Sequence, residues 1–107
     1  MASTPSRIHF VSRYSDRSNR GWQELGGGRF STEAWAVSAE AAAAVNEVWL
    51  HDRKDDSAWD GGRVIDHQPV PVPNRRTPKW RFIVQRSPLS GVTWPGSTGG
   101  GPEKAYV

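Results

Sequence analysis

The sequence predicts a mostly β (α+β) fold: a small curved antiparallel sheet, or open β-barrel, of about five strands with one short helix at 38–46. Three observations carry this. Short runs of apolar alternation recur between turn residues. Eleven glycines and eight prolines punctuate the 107 residues. Only one stretch, built on the consecutive alanines Ala41 to Ala44, has a helix-forming composition. With no linker dividing the chain, residues 1–96 read as one β-rich domain and 97–107 as a flexible Gly-rich tail.

The first strand is Ile8-His9-Phe10-Val11, with Ile8 and Phe10 on one face and His9 and Val11 on the other. Ser12 to Arg20 is polar and ends in an Asn19-Arg20-Gly21 turn, and Gly26-Gly27-Gly28 is a flexible break. Trp35-Ala36-Val37 forms a short strand running into Ser38, an N-cap for the helix that follows. Two turns are too few for that helix to stand on propensity, so packing must hold it. A second strand, Glu47 to His51, is followed by a charged excursion and a Gly61-Gly62 turn, and Arg63 to His67 returns beside it as the other arm of a hairpin. The prolines at Pro69, Pro71, Pro73 and Pro78 make 68–78 an extended connection unfit for a central strand. Trp80 to Arg86 is the third strand, with Trp80, Phe82 and Val84 on one face, and Gly91 to Trp94 adds a short edge strand.

The composition excludes several classes. Hydrophobic residues make up 36% and charged residues 23%, and the mean hydropathy of -0.68 is polar without being that of a disordered chain. No run approaches the roughly 18 apolar residues of a membrane span. The opening residues lack the apolar stretch of a secretory signal, so a cytoplasmic protein without a membrane partner is expected. The absence of cysteine excludes disulfides, thiolate zinc sites and cysteine nucleophiles. No phosphate loop, nucleophile elbow or zinc-binding helix motif is present, and neither cofactor nor metal is expected.

The order of helix, Asn46-Glu47-Val48-Trp49-Leu50-His51, polar excursion, Gly61 to Val70 and then Trp80 to Ser87 resembles the PUA-like superfamily, which includes PUA, ASCH and EVE domains. The resemblance is one of element order and covers about Trp35 to Arg86; Asn46-Glu47 stands where members often carry Gly-Asp. It implies a small barrel whose mouth, beside the helix, receives a nucleotide or flipped base between aromatic walls. A minority of ASCH-type members hydrolyse modified nucleosides.

Charge is unevenly spread. Residues 1–30 have a net charge of +3, residues 31–60 of -5 and residues 61–107 of +5. Bringing the two basic ends together would give a basic and an acidic face, the footprint of a polyanion partner. Eleven of the 14 basic residues are arginine, which makes planar, bidentate contacts to phosphate; a GC-rich coding sequence produces the same bias. Arg13, Arg17 and Arg20 share a loop with Tyr14 and lead to Trp22; Arg75, Arg76 and Lys79 sit in the Pro-rich connection; Trp59 lies among acids. Basic residues alternating with rings suit single strands or extruded bases, because charge holds phosphates while rings take base faces. Trp35, Trp49 and Trp80 lie among apolar neighbours and read as core.

These residues point to a non-catalytic module binding nucleic acid or a modified base through Arg13, Arg17, Arg20, Trp22, Trp59, Arg75, Arg76 and Lys79. One alternative is a small nucleoside- or nucleotide-acting hydrolase using His51, Asp66 or His67 as acid and base. A metal, were one used, would be held by His51 and His67 with the adjacent Asp52 and Asp66, or as magnesium by the loop acids Asp55, Asp56 and Asp60. Another is a protein-interaction modulator of a phage or mobile element, with 31–60 as its contact face.

Overall fold

Apolar alternation has produced a curved sheet around one core. The computed structural model describes residues 7–88, 91–95 and 104–106. Among them are β1 (Arg7–Val11), β2 (Gln23–Gly26), β3 (Arg29–Ser31), α1 (Ala39–Ala44), β4 (Glu47–His51), β5 (Ala58–Val70), β6 (Lys79–Arg86) and β7 (Lys104–Tyr106). They form one open sheet in the order β2-β3-β6-β5-β4-β1-β7. The fold is mostly β with one short helix, as the sequence predicts, but the described residues form seven strands where about five are expected.

The core takes one face of each strand. Ile8 and Phe10 of β1, Val48 and Leu50 of β4, and Phe82 and Val84 of β6 meet Phe30 of β3, all fully or almost fully buried. Ala42 carries α1 onto this core. The Ser38 hydroxyl accepts from the Ala41 amide at 3.0 Å, the expected cap. Thr32 fixes the chain as it leaves β3: its buried hydroxyl accepts from the Phe82 amide and donates to the Glu33 carbonyl. Trp35 then exchanges two 2.8 Å backbone hydrogen bonds with Trp80, so what reads as a short strand is a single bridge prolonging β3. Lys104 of β7 donates to the Ala36 carbonyl, just past the Trp35 bridge.

Several expectations are corrected. The sheet is mixed, because β1 pairs parallel with β4 while the other pairings are antiparallel. The chain crosses from β1 through β2, β3 and α1 before returning alongside it, as a parallel pair requires. The Gly26–Gly28 break is a hairpin turn joining β2 to β3, with all three glycines at positive φ.

Gly61 and Gly62 are not a turn but lie inside β5. A Cβ at Gly61 would stand 2.3 Å from the Trp49 ring, and one at Gly62 would stand 2.0 Å from the Gln85 carbonyl oxygen, so only glycine lets the indole and β6 approach. The β4–β5 connection is the 52–57 loop instead. β5 also runs on to Val70 with Pro69 paired to Trp80. This is tolerated because β4 pairs only as far as Arg63, so the proline nitrogen can face away from the ladder.

Gly91 to Trp94 forms no strand, although the Val92 carbonyl accepts from Ala58. Of the 97–107 tail, 97–103 and 107 lie outside the described residues, and 104–106 pairs with β1 as β7.

Candidate nucleic-acid interface

The eight residues named from the sequence fall into two groups at opposite ends of β5. Trp59 is the second residue of that strand and Val70 the last, a path of roughly 36 Å along the chain at about 3.3 Å per residue. Arg13, Arg17, Arg20 and Trp22 gather toward Trp59, while Arg75, Arg76 and Lys79 follow Val70. The chain thus forms two arginine–tryptophan groups, not one mouth.

At the Trp59 end the aromatic rings pack on one another. Trp22 stacks on core residue Phe30 with centroids 5.9 Å apart and touches Trp59 at 6.1 Å, and the Tyr14 ring meets Trp59 edge-on at 5.1 Å. Trp59 belongs to β5 and not to a polar loop, and its indole N–H donates to the Ser12 carbonyl at 2.7 Å. The Arg17 guanidinium lies 3.7 Å from the Tyr14 ring centroid and also donates to the Tyr14 carbonyl. Arg20 donates to the buried carboxylate of Glu33 at 2.9 Å. Burial pushes the Glu33 carboxyl above its ordinary range, and the Arg20 charge opposes that.

Arg86 grips Glu24 and Asp60 with two hydrogen bonds each, at 2.8 to 3.0 Å, which ties β2, β5 and β6 together. The two carboxylates hold this guanidinium firmly charged. Only Arg13, of the three loop arginines, is exposed and without a partner among the described residues. Four buried polar atoms here, Asp16 Oδ1, Arg17 Nε, Trp22 Nε1 and Glu33 Oε1, make no hydrogen bond among the described residues.

The other end is built differently. Arg75 donates its amide to the Val72 carbonyl at 3.2 Å, closing a turn with Pro73 and then Asn74 at a φ of 64°. Proline sets the first central residue, and asparagine tolerates the left-handed second. The turn presents Arg75 and Arg76 to solvent, with Lys79 opening β6. None of the three makes an ion pair among the described residues, and positions 67–88 contain no Asp or Glu.

Two cavities flank the turn. One of about 310 Å³ is walled by Pro69, Pro71 and Val72. The other, of about 410 Å³, runs beside the start of α1 from Ala36 to Ala39, against Thr77 and the Trp80 ring. Arg75 lines both. Trp80 is half-buried at the rim of the core, with His67 packed on it at 5.4 Å. Sequence reasoning placed Trp80 in the core alone; its position immediately after Lys79, at the mouth of the strand, was the available signal.

The acid–base set does not converge. His51 pairs with Ala58 at the start of β5, whereas Asp66 and His67 pair with Ile83 and Phe82 far along it. His51 is instead joined to His9, which the sequence did not single out. His9 Nδ1 and His51 Nε2 are 2.8 Å apart, and His51 Nδ1 is 2.9 Å from the Asp56 carbonyl oxygen. That oxygen only accepts, so His51 carries its proton on Nδ1 and His9 donates to its Nε2. Both imidazoles are buried under Trp94. Burial holds both below the ordinary histidine range, with His9 lowered to about 4. Among the described residues, no three metal-ligating side chains come together, and no helix is long and apolar enough to cross a membrane.

No protein-family model matches the chain, and neither the curated proteins nor the solved structures provide a significant match. The functional reading therefore rests on the two groups themselves.

Proposed function

We propose that this chain is a non-catalytic module that binds single-stranded nucleic acid or an extruded base at the β5–β6 turn. The observation that carries the reading is the combination of three cations without carboxylate partners among the described residues and a 410 Å³ cavity lined by Trp80. Arg75, Arg76 and Lys79 meet phosphates, and a base enters beside α1 to lie against the indole. Such stacking is worth about 1–3 kcal/mol per base and tolerates any base. This placement also fits the resemblance to PUA-like domains, in which the mouth beside the helix receives the base. The Trp59 end is secondary, since Arg17 and Arg20 already have internal partners.

The test is quenching of tryptophan emission by short single-stranded oligonucleotides across a salt series. Saturable quenching whose midpoint weakens steeply with salt is expected. A flat titration at low salt, or an affinity indifferent to salt, refutes the reading.

A further inference from the structure

A larger cavity, of about 490 Å³, opens on the face of the sheet turned away from the core. None of its lining residues belongs to either arginine–tryptophan group. We propose that it is a second binding site, for a small organic oxyanion: a phosphate or carboxylate headgroup on an apolar body.

The chemistry of the walls carries this assignment. Arg7 and Arg63 flank Glu47 on the neighbouring strands and line the cavity with it, together with Asn46 and Ser87. Glu47 is the one carboxylate among the described lining residues, and it is already engaged: Oε1 accepts the Trp49 indole N–H at 3.0 Å and Oε2 lies 3.5 Å from Arg7 Nε. Arg63 is exposed and has no ion pair or side-chain hydrogen bond among the described residues. Among the described residues the site thus holds more guanidinium than carboxylate, and an acceptor-rich anion corrects that imbalance. Guanidinium meets such oxygens with paired hydrogen bonds.

The remaining wall, formed by Trp49, Pro88 and Val92, is apolar, so the ligand needs a body as well as a headgroup. The site is also preorganised. The Trp49 ring packs against Gly61, where a Cβ would stand 2.3 Å from it, and the Val92 carbonyl accepts a 2.8 Å hydrogen bond from the Ala58 amide. The volume lies in the range of small-molecule sites.

The experiment is calorimetric titration of the full chain with phenyl phosphate and with benzoate, using inorganic phosphate as the headgroup alone. Saturable binding of either aryl anion, clearly tighter than inorganic phosphate, is expected; which of the two binds tighter identifies the headgroup. Arg63→Gln, at an exposed position, weakens it at least about tenfold with an unchanged thermal midpoint. Arg75→Gln leaves it unaltered, which separates this site from the nucleic-acid reading. Failure of both aryl anions to bind, equal affinity for inorganic phosphate, or indifference to Arg63→Gln overturns the proposal.

Discussion

The two ends of β5 carry the same residue types and use them in opposite ways. Near Trp59, arginines are folded against rings and carboxylates: Arg17 over Tyr14, Arg20 on Glu33, and Arg86 between Glu24 and Asp60. At the β5–β6 turn no acid lies within reach along the chain; Arg75 and Arg76 stay exposed, Lys79 is half-buried, and Arg75 lines the cavity beside α1. An interleaved run of arginine and tryptophan therefore does not by itself mark a binding surface. What decides is whether the fold supplies internal anions and rings to meet those side chains first.

Breaking the first end should cost stability. Arg86→Ala strands Asp60, which is 5% exposed, as a buried unpaired charge, and should cost about 3–5 kcal/mol in chemical denaturation. Acid should have the next largest effect. His9 has a folded pKa of about 4 against an ordinary 6.5, so its contribution is complete above about pH 6.5. It is lost as pH falls toward 4, because only the unfolded chain takes up the proton. The loss is up to about 3 kcal/mol, and His9→Gln should flatten the stability profile across that window. Trp22→Ala, which removes a half-buried ring from Phe30 and Trp59, should cost about 2–3 kcal/mol while oligonucleotide affinity at a folded temperature stays within about twofold.

Sharpening the second end should leave stability alone. Gln at Arg75, Arg76 or Lys79 should change it by less than about 0.5 kcal/mol, and each should weaken oligonucleotide binding in a way that fades at high salt.

Much of the architecture was legible because the core strands carry period-two alternation, as in Ile8 and Phe10 or Phe82 and Val84, and because Ser38 before an alanine run marks a helix start. Strand direction was not legible: nothing in the alternation of β1 distinguishes a parallel from an antiparallel neighbour. Gly61-Gly62 misled because glycine serves equally for a turn and for a close approach, and the approach depends on Trp49 lying across from it. The candidate site was half legible. Charge and ring content named its residues, but the separation of Trp59 from Arg75 follows from the length of β5, which prolines at Pro69 and Pro71 disguised. The His9–His51 pair was invisible, since its partners lie on strands 42 positions apart in the chain.

The claim that the β5–β6 turn, and not the Trp59 end, holds the polyanion is tested most directly by the salt dependence of single-strand binding in two variants. Replacing Arg75, Arg76 and Lys79 together with glutamine should reduce the slope of log affinity against log salt by about 2, at roughly 0.7 per phosphate contact, whereas glutamine at both Arg13 and Arg17 should leave it nearly unchanged. A slope preserved in the first variant and flattened in the second would contradict the account.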